Sequence, residues 1–235
     1  MLPVLQGLLD LGLPVVCAGC AAGGARLCGD CRRVLGRAEP ARWWPTPAPR
    51  ELPPTWSCLP YEGAVRSCVV AWKDEDRVDL TGVLAAVLAG GLAAALRGGP
   101  GIRAGLRRGR QVYVVPAPSA RAGTARRGRW PVQDLLARSL RAVAAEPEVQ
   151  ALPALGLSRA VADQAGLGAR ERGANLRGAM TVSARHTASV DGALAVVVDD
   201  VVTTGATLSE AARALRAAGA ADVVAVTLAA THRHA

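Results

Sequence analysis

Short apolar runs alternate along this chain with longer stretches whose apolar residues recur at helical spacing. The runs at 55–61, 111–115, 152–155, 179–182, 195–198 and 222–229 predict strands. The helical pattern covers 2–13, 62–72, 79–96, 130–145, 168–176 and 206–218. Between them, 97–110 is rich in Gly and Arg and predicts a loop, and 183–192, with His186, predicts a turn. Residues 37–54 hold Pro40, Pro45, Pro47, Pro49, Pro53 and Pro54, so they predict an extended linker that Trp43 and Trp44 pin to a surface. Strands alternating with helices imply an open α/β sheet, mostly parallel and flanked by helices. Such sheets bind ligands at the carboxyl ends of their strands.

The densest chemistry lies between Ala195 and Thr207. Four apolar residues end abruptly in Asp199 and Asp200. Thr203, Thr204, Gly205, Ala206 and Thr207 then lead into a helix. Backbone N–H groups of a small loop at a helix N-terminus cradle phosphate, and threonine hydroxyls add donors. Carboxylates are poor phosphate ligands but suit ribose hydroxyls or a divalent cation. The pattern therefore wants a sugar phosphate. The bland alternative is a buried strand, a solvated acidic turn and a capped helix. A second turn, Pro116-Ala117-Pro118-Ser119, follows the strand at 111–115 and runs into Arg121 and Arg127. Fixed amides and Arg forks suit diphosphate oxygens.

Charge sharpens this picture. The net charge is +9 over 235 residues, and 51% of them are hydrophobic, ample for a core. No acid occurs between Asp79 and Asp134, an interval holding Arg97, Arg103, Arg107, Arg108, Arg110, Arg121, Arg126, Arg127 and Arg129. That block suits nucleic acid or a small polyanionic substrate, or is solvated loop charge. Lys73 is the chain's one lysine. It reads either as a compact ammonium wanted where a guanidinium would not fit or as a chance surface residue. No basic leader precedes the apolar start, which points to a cytoplasmic protein. The uncharged stretch 80–96 reaches the lower edge of a membrane span, but its Ala and Gly content predicts a packed core helix.

Cysteines add a second centre. Cys17, Cys20, Cys28 and Cys31 follow the spacing C-x2-C-x7-C-x2-C. Two such pairs complete a tetrahedral thiolate site for structural Zn2+; disulfides and redox chemistry are the alternatives. Cys58 and Cys68 lack such a partner and predict small buried hydrophobes. His232 and His234, in the tail, predict a solvated end.

The run from Ala195 to Thr207 resembles the phosphoribosyl-pyrophosphate signature of type I phosphoribosyltransferases. With the four-cysteine head, Tyr61 and Lys73, the PAPS turn with Arg127-Gly128, and Gln164, Arg172 and Asn175, the whole chain resembles the ComF family, phosphoribosyltransferase-like proteins linked to DNA uptake in naturally competent bacteria. It departs from that family in the run Arg127-Gly128-Arg129-Trp130-Pro131, where RGFNQ is usual, and near Met180, where an aromatic is missing. The resemblance implies a type I phosphoribosyltransferase-like α/β domain at 55–235. It also implies a unit at 1–54 made of a helix, a small zinc ribbon and the Pro-rich linker. Phosphoribosyl pyrophosphate with Mg2+ would be the ligand, and an unknown nucleobase the acceptor. Asp199 and Asp200 would hold the ribose; Lys73, Arg121 and Arg127 would neutralise the leaving pyrophosphate. Two other readings stand beside transfer. One is an adaptor that binds single-stranded DNA alongside DNA-uptake proteins; the other is a nucleotide sensor without turnover.

Overall fold

The structure, a computed structural model, describes residues 15–49, 51–118, 130–143, 148–159 and 175–231. In chain order its strands are β1 (Ala41–Trp43), β2 (Thr55–Pro60), β3 (Val112–Pro116), β4 (Val149–Ala151), β5 (Leu155–Leu157), β6 (Met180–Val182), β7 (Leu194–Val202) and β8 (Asp222–Ala230). The helices are α1 (Gly29–Gly36), α2 (Gly63–Asp74), α3 (Thr81–Gly98), α4 (Pro100–Leu106), α5 (Pro131–Ala142), α6 (Thr187–Val190) and α7 (Ala206–Ala217).

Six strands make the main sheet in the order β1-β2-β8-β7-β3-β4. Only β1, at the edge, runs antiparallel. β5 and β6 form a separate antiparallel pair. Both faces of the sheet are covered, and β7 shows why its apolar run is unbroken. Leu194, Val196 and Val198 pack into one core with Trp72 of α2, Leu84, Leu88 and Leu92 of α3, and Leu135 of α5. Ala195 and Val197 face the other core, with Leu208, Ala211 and Leu215 of α7. A strand buried on both sides has no polar face to alternate with.

α3 is the apolar helix expected to pack inside the protein. The stretch Val78–Gly98 is long and apolar enough to cross a membrane, at mean hydropathy 1.8, yet 56% of it is buried. Its small residues are contacts: a Cβ on Gly91 would lie 2.6 Å from Cys58 Sγ and 2.7 Å from Val226 Cγ1. Glycine there lets the helix axis approach β2 and β8. Overpacking at such a position costs about 1–3 kcal/mol. Gly91→Val is therefore expected to lower stability by that amount in a urea titration, with the sheet fold kept.

Several elements depart from the pattern. The loop expected at 97–110 contains α4, because Pro100 opens a helical turn and Ile102 is fully buried. Gly101 and Gly105, which suggest a loop, are close contacts with Asp222 and Leu194. The turn at 183–192 carries a 3-10 turn, Ala184–His186, and α6. The strand expected at 152–155 resolves into β4 before it and β5 beginning at its end. β7 does not stop before its acids: Asp199 and Val201 stay in register with Thr227 and Ala229 of β8. Trp43 is buried as expected, but Trp44 is exposed. The expected helix at 2–13, nearly all of that at 168–176, the residues Gln164 and Arg172, and the tail histidines lie outside the described residues.

Candidate functional site

Strand order places the site. From β3 the chain passes to β4 on one side, and from β7 it passes through α7 to β8 on the other. β3 and β7 are neighbours, so the order reverses between them, the point at which an open α/β sheet leaves a crevice at the carboxyl ends of its strands. Pro116, Ala117 and Pro118 lie at one lip, with Pro116 opposite Val198 and Ala117 N–H donating to Val198 O at 2.8 Å. Asp199, Asp200 and the Thr203–Thr204–Gly205 turn lie at the other. Ser119, Arg121 and Arg127 fall outside the described residues.

Lys73 sits in the last turn of α2, 127 residues from Asp200, yet its Nζ donates to Asp200 Oδ2 at 2.5 Å. The Asp200 side chain is 6% exposed and that of Lys73 33%. Asp200 N–H donates to Asp199 Oδ1 at 2.9 Å. These contacts split the two carboxyls electrostatically. Burial pushes Asp199 well above the usual carboxylate range, and the Asp200 charge adds to it; Lys73 offsets only part. Burial also disfavours the Asp200 charge, but Lys73 outweighs it and the carboxyl falls below its usual range. For Lys73 burial likewise opposes charge, and the two aspartates overcome it, so the ammonium is held above its ordinary value.

The turn after β7 is shaped for close approach. Gly205 is the N-cap of α7 with φ +78°, a left-handed conformation that costs other residues about 1–2 kcal/mol. A Cβ there would also lie 2.8 Å from Leu52 Cδ1. Leu52 belongs to the Pro-rich segment, which thus packs beneath the turn. Thr204 Oγ1 accepts from Ala206 N–H at 3.4 Å, and Ser209 N–H and hydroxyl both donate to Gly205 O at 2.8 Å. The first-turn amides of α7 have no earlier helical carbonyl to meet. Thr203 and Thr207 are half-buried beside them.

One supporting group is invisible to pattern reading. Glu210 is a carboxylate on the buried face of α7, 5% exposed. It accepts from Met180 N–H at 3.0 Å and from both ends of the Arg213 fork at 2.8 and 2.9 Å. Arg213 also donates to Met180 O at 2.9 Å. This clamp fixes the β5–β6 pair onto the helix that follows the Thr203–Thr204–Gly205 turn. Burial disfavours the Glu210 charge, but Arg213 and the Met180 amide outweigh it and hold the carboxyl below its usual range. Glu210→Ala leaves the Arg213 guanidinium, 38% exposed, without its carboxylate and the Met180 N–H without its acceptor, so a loss of about 2–3 kcal/mol is expected. Urea unfolding measures the loss, and hydrogen exchange should show β6 amides opening first. No sequence signal marked it, because position 210 lies off the helical spacing of Leu208, Ala211, Ala212 and Leu215.

The head cysteines converge. Sγ atoms of Cys17, Cys20, Cys28 and Cys31 all lie within 4.8 Å of one another. Cys20 and Cys28 Sγ are 3.7 Å apart, close to the about 3.8 Å edge of a tetrahedron with about 2.3 Å metal–sulfur bonds. Amides point at the sulfurs: Gly19 and Cys28 N–H donate to Cys17 Sγ at 3.4 and 3.3 Å, and Cys31 N–H to Cys28 Sγ at 3.5 Å. Burial opposes ionisation of Cys17, but these amides outweigh it and bring the thiol down to about 6. The four groups can hold a metal such as zinc. Cys58 and Cys68 are buried elsewhere, as expected.

The arginine block divides. Arg97, Arg103, Arg107, Arg108 and Arg110 are exposed on and around α4. That helix packs against the starts of β7 and β8, through Gly105 on Leu194 and Gly101 on Asp222. These five cations therefore lie at the amino ends of the strands, across the sheet from the aspartates.

Comparison with known proteins bears on the second half of the chain. No curated protein matches it. The family model described as phosphoribosyl transferase domain matches residues 148–235, a segment that includes β4 to β8, the two aspartates and the turn after them.

Proposed function

We propose that this protein binds phosphoribosyl pyrophosphate with Mg2+ at the β3–β7 crevice and transfers the phosphoribosyl group to a nucleobase-like acceptor. The observation that carries the reading is the Asp199–Asp200 pair standing directly before an open helix N-terminus at the sheet's reversal point. The domain match at 148–235 supports it, and so does the resemblance to ComF proteins, which adds the cysteine head. We read the head as a structural zinc ribbon within 1–54, serving a transferase-like unit at 55–235 in a cytoplasmic protein.

In this reading Thr203, Thr204, Gly205, Ala206 and Thr207 hold the 5′-phosphate, and the aspartates accept from the ribose hydroxyls. Pro116, Ala117, Pro118 and Ser119 frame the diphosphate, with Arg121 and Arg127 beside it. An acceptor nitrogen forms a bond to C1 as the C1–oxygen bond breaks; pyrophosphate leaves with that electron pair, and the acceptor nitrogen loses a proton. The donor's phosphates and the carboxylates are hard oxygen ligands that fit Mg2+, which would neutralise the leaving group. The chain's own part is to fix the sugar and spread cationic charge. Lys73 supplies one such cation through Asp200.

Asp199 accepts most strongly from a ribose hydroxyl, and can ligate a cation, as the carboxylate. Because burial raises that group, donor affinity is expected to strengthen as pH climbs through its ligand-free pKa. Calorimetry with donor and Mg2+ across pH 5–9 checks the slope, and pyrophosphate release with a panel of nucleobases checks transfer. Donor binding with no release for any base would favour a sensor. No binding at any pH would remove the reading.

A second reading has its own observation, the five exposed arginines at the opposite edge. That surface suits the backbone of single-stranded DNA, as an adaptor beside DNA-uptake proteins would require. Fluorescence anisotropy with a labelled oligonucleotide should show affinity falling steeply with salt. Reversing Arg103 and Arg107 to Glu should weaken it about tenfold, given roughly 1 kcal/mol or less per exposed phosphate contact. Displacement by phosphoribosyl pyrophosphate would place the DNA in the crevice instead.

A further inference from the structure

We infer that the four-cysteine centre, through Gly19 and Arg77, is what positions Lys73 against Asp200. The head grips α2 at both ends. At the first turn, a Cβ on Gly19 would lie 2.6 Å from Cys31 Sγ and 3.3 Å from Ala64 Cβ, so the backbone of the first cysteine pair rests on that turn. Beyond the last turn stands Arg77. Its Nη2 donates to Arg26 O at 2.7 Å, in the loop joining the two cysteine pairs. Its own backbone N–H donates to Ala71 O at 3.0 Å, inside the last turn of α2. Its fork is held by Asp79 at 2.9 Å on both arms. Lys73 lies in the turn thus tied down.

Packing runs the same way. Leu35 of α1 is fully buried in the core that also takes Val65, Cys68, Val69 and Trp72 of α2, and Ala18 and Leu27 of the head pack against it. A head this small has little core of its own, so its order depends on a bound metal. A four-carbon side chain reaching a buried carboxylate must give up rotamer freedom, and a rigid helix end limits that loss. Arg77 is a positioning residue in this scheme. It acts on Lys73 through the helix and touches neither aspartate of the crevice among the contacts of its fork. The inference rests on the transferase-like reading only for the task Lys73 performs; the brace itself needs no donor.

The chain's one lysine makes the test specific. Zinc-loaded and zinc-stripped protein, kept reduced, are treated with an amine-reactive ester, and the peptide carrying residue 73 is quantified by mass spectrometry. Labelling should be slow in the loaded protein and about tenfold faster after stripping, the change that one pKa unit gives an amine reacting only when neutral. Adding zinc back should restore the slow rate. Arg77→Ala should keep its zinc, counted by release with a mercurial, yet label Lys73 several-fold faster. Asp200→Asn sets the rate of an unpaired amine. Stripped protein with its sheet intact by circular dichroism, labelling at the loaded rate, would overturn the inference. So would zinc-loaded Arg77→Ala labelling like the parent. If stripping unfolds the sheet, the loaded Arg77→Ala rate decides alone. Neither readout involves donor or turnover, so failure of the brace and failure of the transferase reading are separate results.

Discussion

Asp199→Asn is expected to stabilise the ligand-free protein and Asp200→Asn to destabilise it, although each should weaken binding of the proposed sugar-phosphate donor. The two carboxyls are adjacent in sequence, but only Asp200 receives the Lys73 ammonium, at 2.5 Å. Removing one partner of a buried pair costs about 3–5 kcal/mol. Lys73 is one-third exposed and also feels the Asp199 charge, so about 2–3 kcal/mol is expected for Asp200→Asn. Lys73→Met added to that variant should recover most of the loss, because no ammonium is then left without its partner.

The pH dependence separates the two acids. Asp200 is held below its ordinary range, so its contribution is present above the unfolded value of about 3.9 and disappears only as pH falls through the lower folded value. Lys73 is held above about 10.4, so its share persists until pH rises through the raised folded value. Asp199 has the opposite sense to Asp200. Its folded form favours the proton, so its contribution is complete below about 3.9 and is lost as pH rises toward the raised value. Asn at position 199 removes a charge the fold resists, a gain on the order of 1 kcal/mol that should appear above about pH 4 and vanish in acid. Urea melts from pH 2 to 9 follow both curves. Each variant should weaken donor binding about tenfold to a hundredfold, the worth of hydrogen bonds to a charged acceptor. Equal melting behaviour for the two variants would show that the Lys73 pairing does not form.

Much of this was written in the chain in local code. A run of valines ending in two acids and a Thr-Gly turn needs no tertiary information to be read as strand, candidate site and helix start, and the structure has the strand and the helix there. Parallel packing made it legible, since a doubly buried strand is apolar throughout. What escaped was decided by distant neighbours. β7 continues through its own acids because β8 supplies register partners at Thr227 and Ala229. α4 looked like loop because Gly101 and Gly105, helix-breaking by composition, are there to clear Asp222 and Leu194. Glu210 sits mid-helix, where an acid ordinarily faces water, and only the approach of Met180 and Arg213 explains its burial. The arginine interval reads as one block along the chain, but the five described cations sit across the sheet from the acids. Lys73 is the instructive case. Its rarity singled it out, while its partner 127 residues away could come only from the fold.

Thiol chemistry should divide the six cysteines into four and two, with a large effect on stability. The four head sulfurs lie within 4.8 Å of one another, whereas Cys58 and Cys68 are 3% and 0% exposed in the main core. Burial pushes Cys58 up to about 12, and burial with the nearby Cys17 charge pushes Cys68 up to about 11. Native zinc-loaded protein is therefore expected to react slowly with a thiol-specific disulfide reagent. A mercurial should release one zinc and consume four thiols, leaving two that react only in denaturant. Structural zinc contributes about 10–16 kcal/mol to small domains folding around it. Part of that free energy would be spent ordering the head, whose Leu35 and Leu27 are also packed on the core, so release of a bound zinc should carry destabilisation into α2 rather than end at the head. Cys17→Ser is expected to reproduce most of the loss, because its sulfur accepts two backbone amides besides its share of the metal. Cys68→Ala, a small cavity change at a thiol outside the set of four, should cost only about 1–2 kcal/mol and release no zinc. Six equivalent thiols, or zinc retained after Cys17→Ser with an unchanged melt, would mean that the head is held by its packing alone.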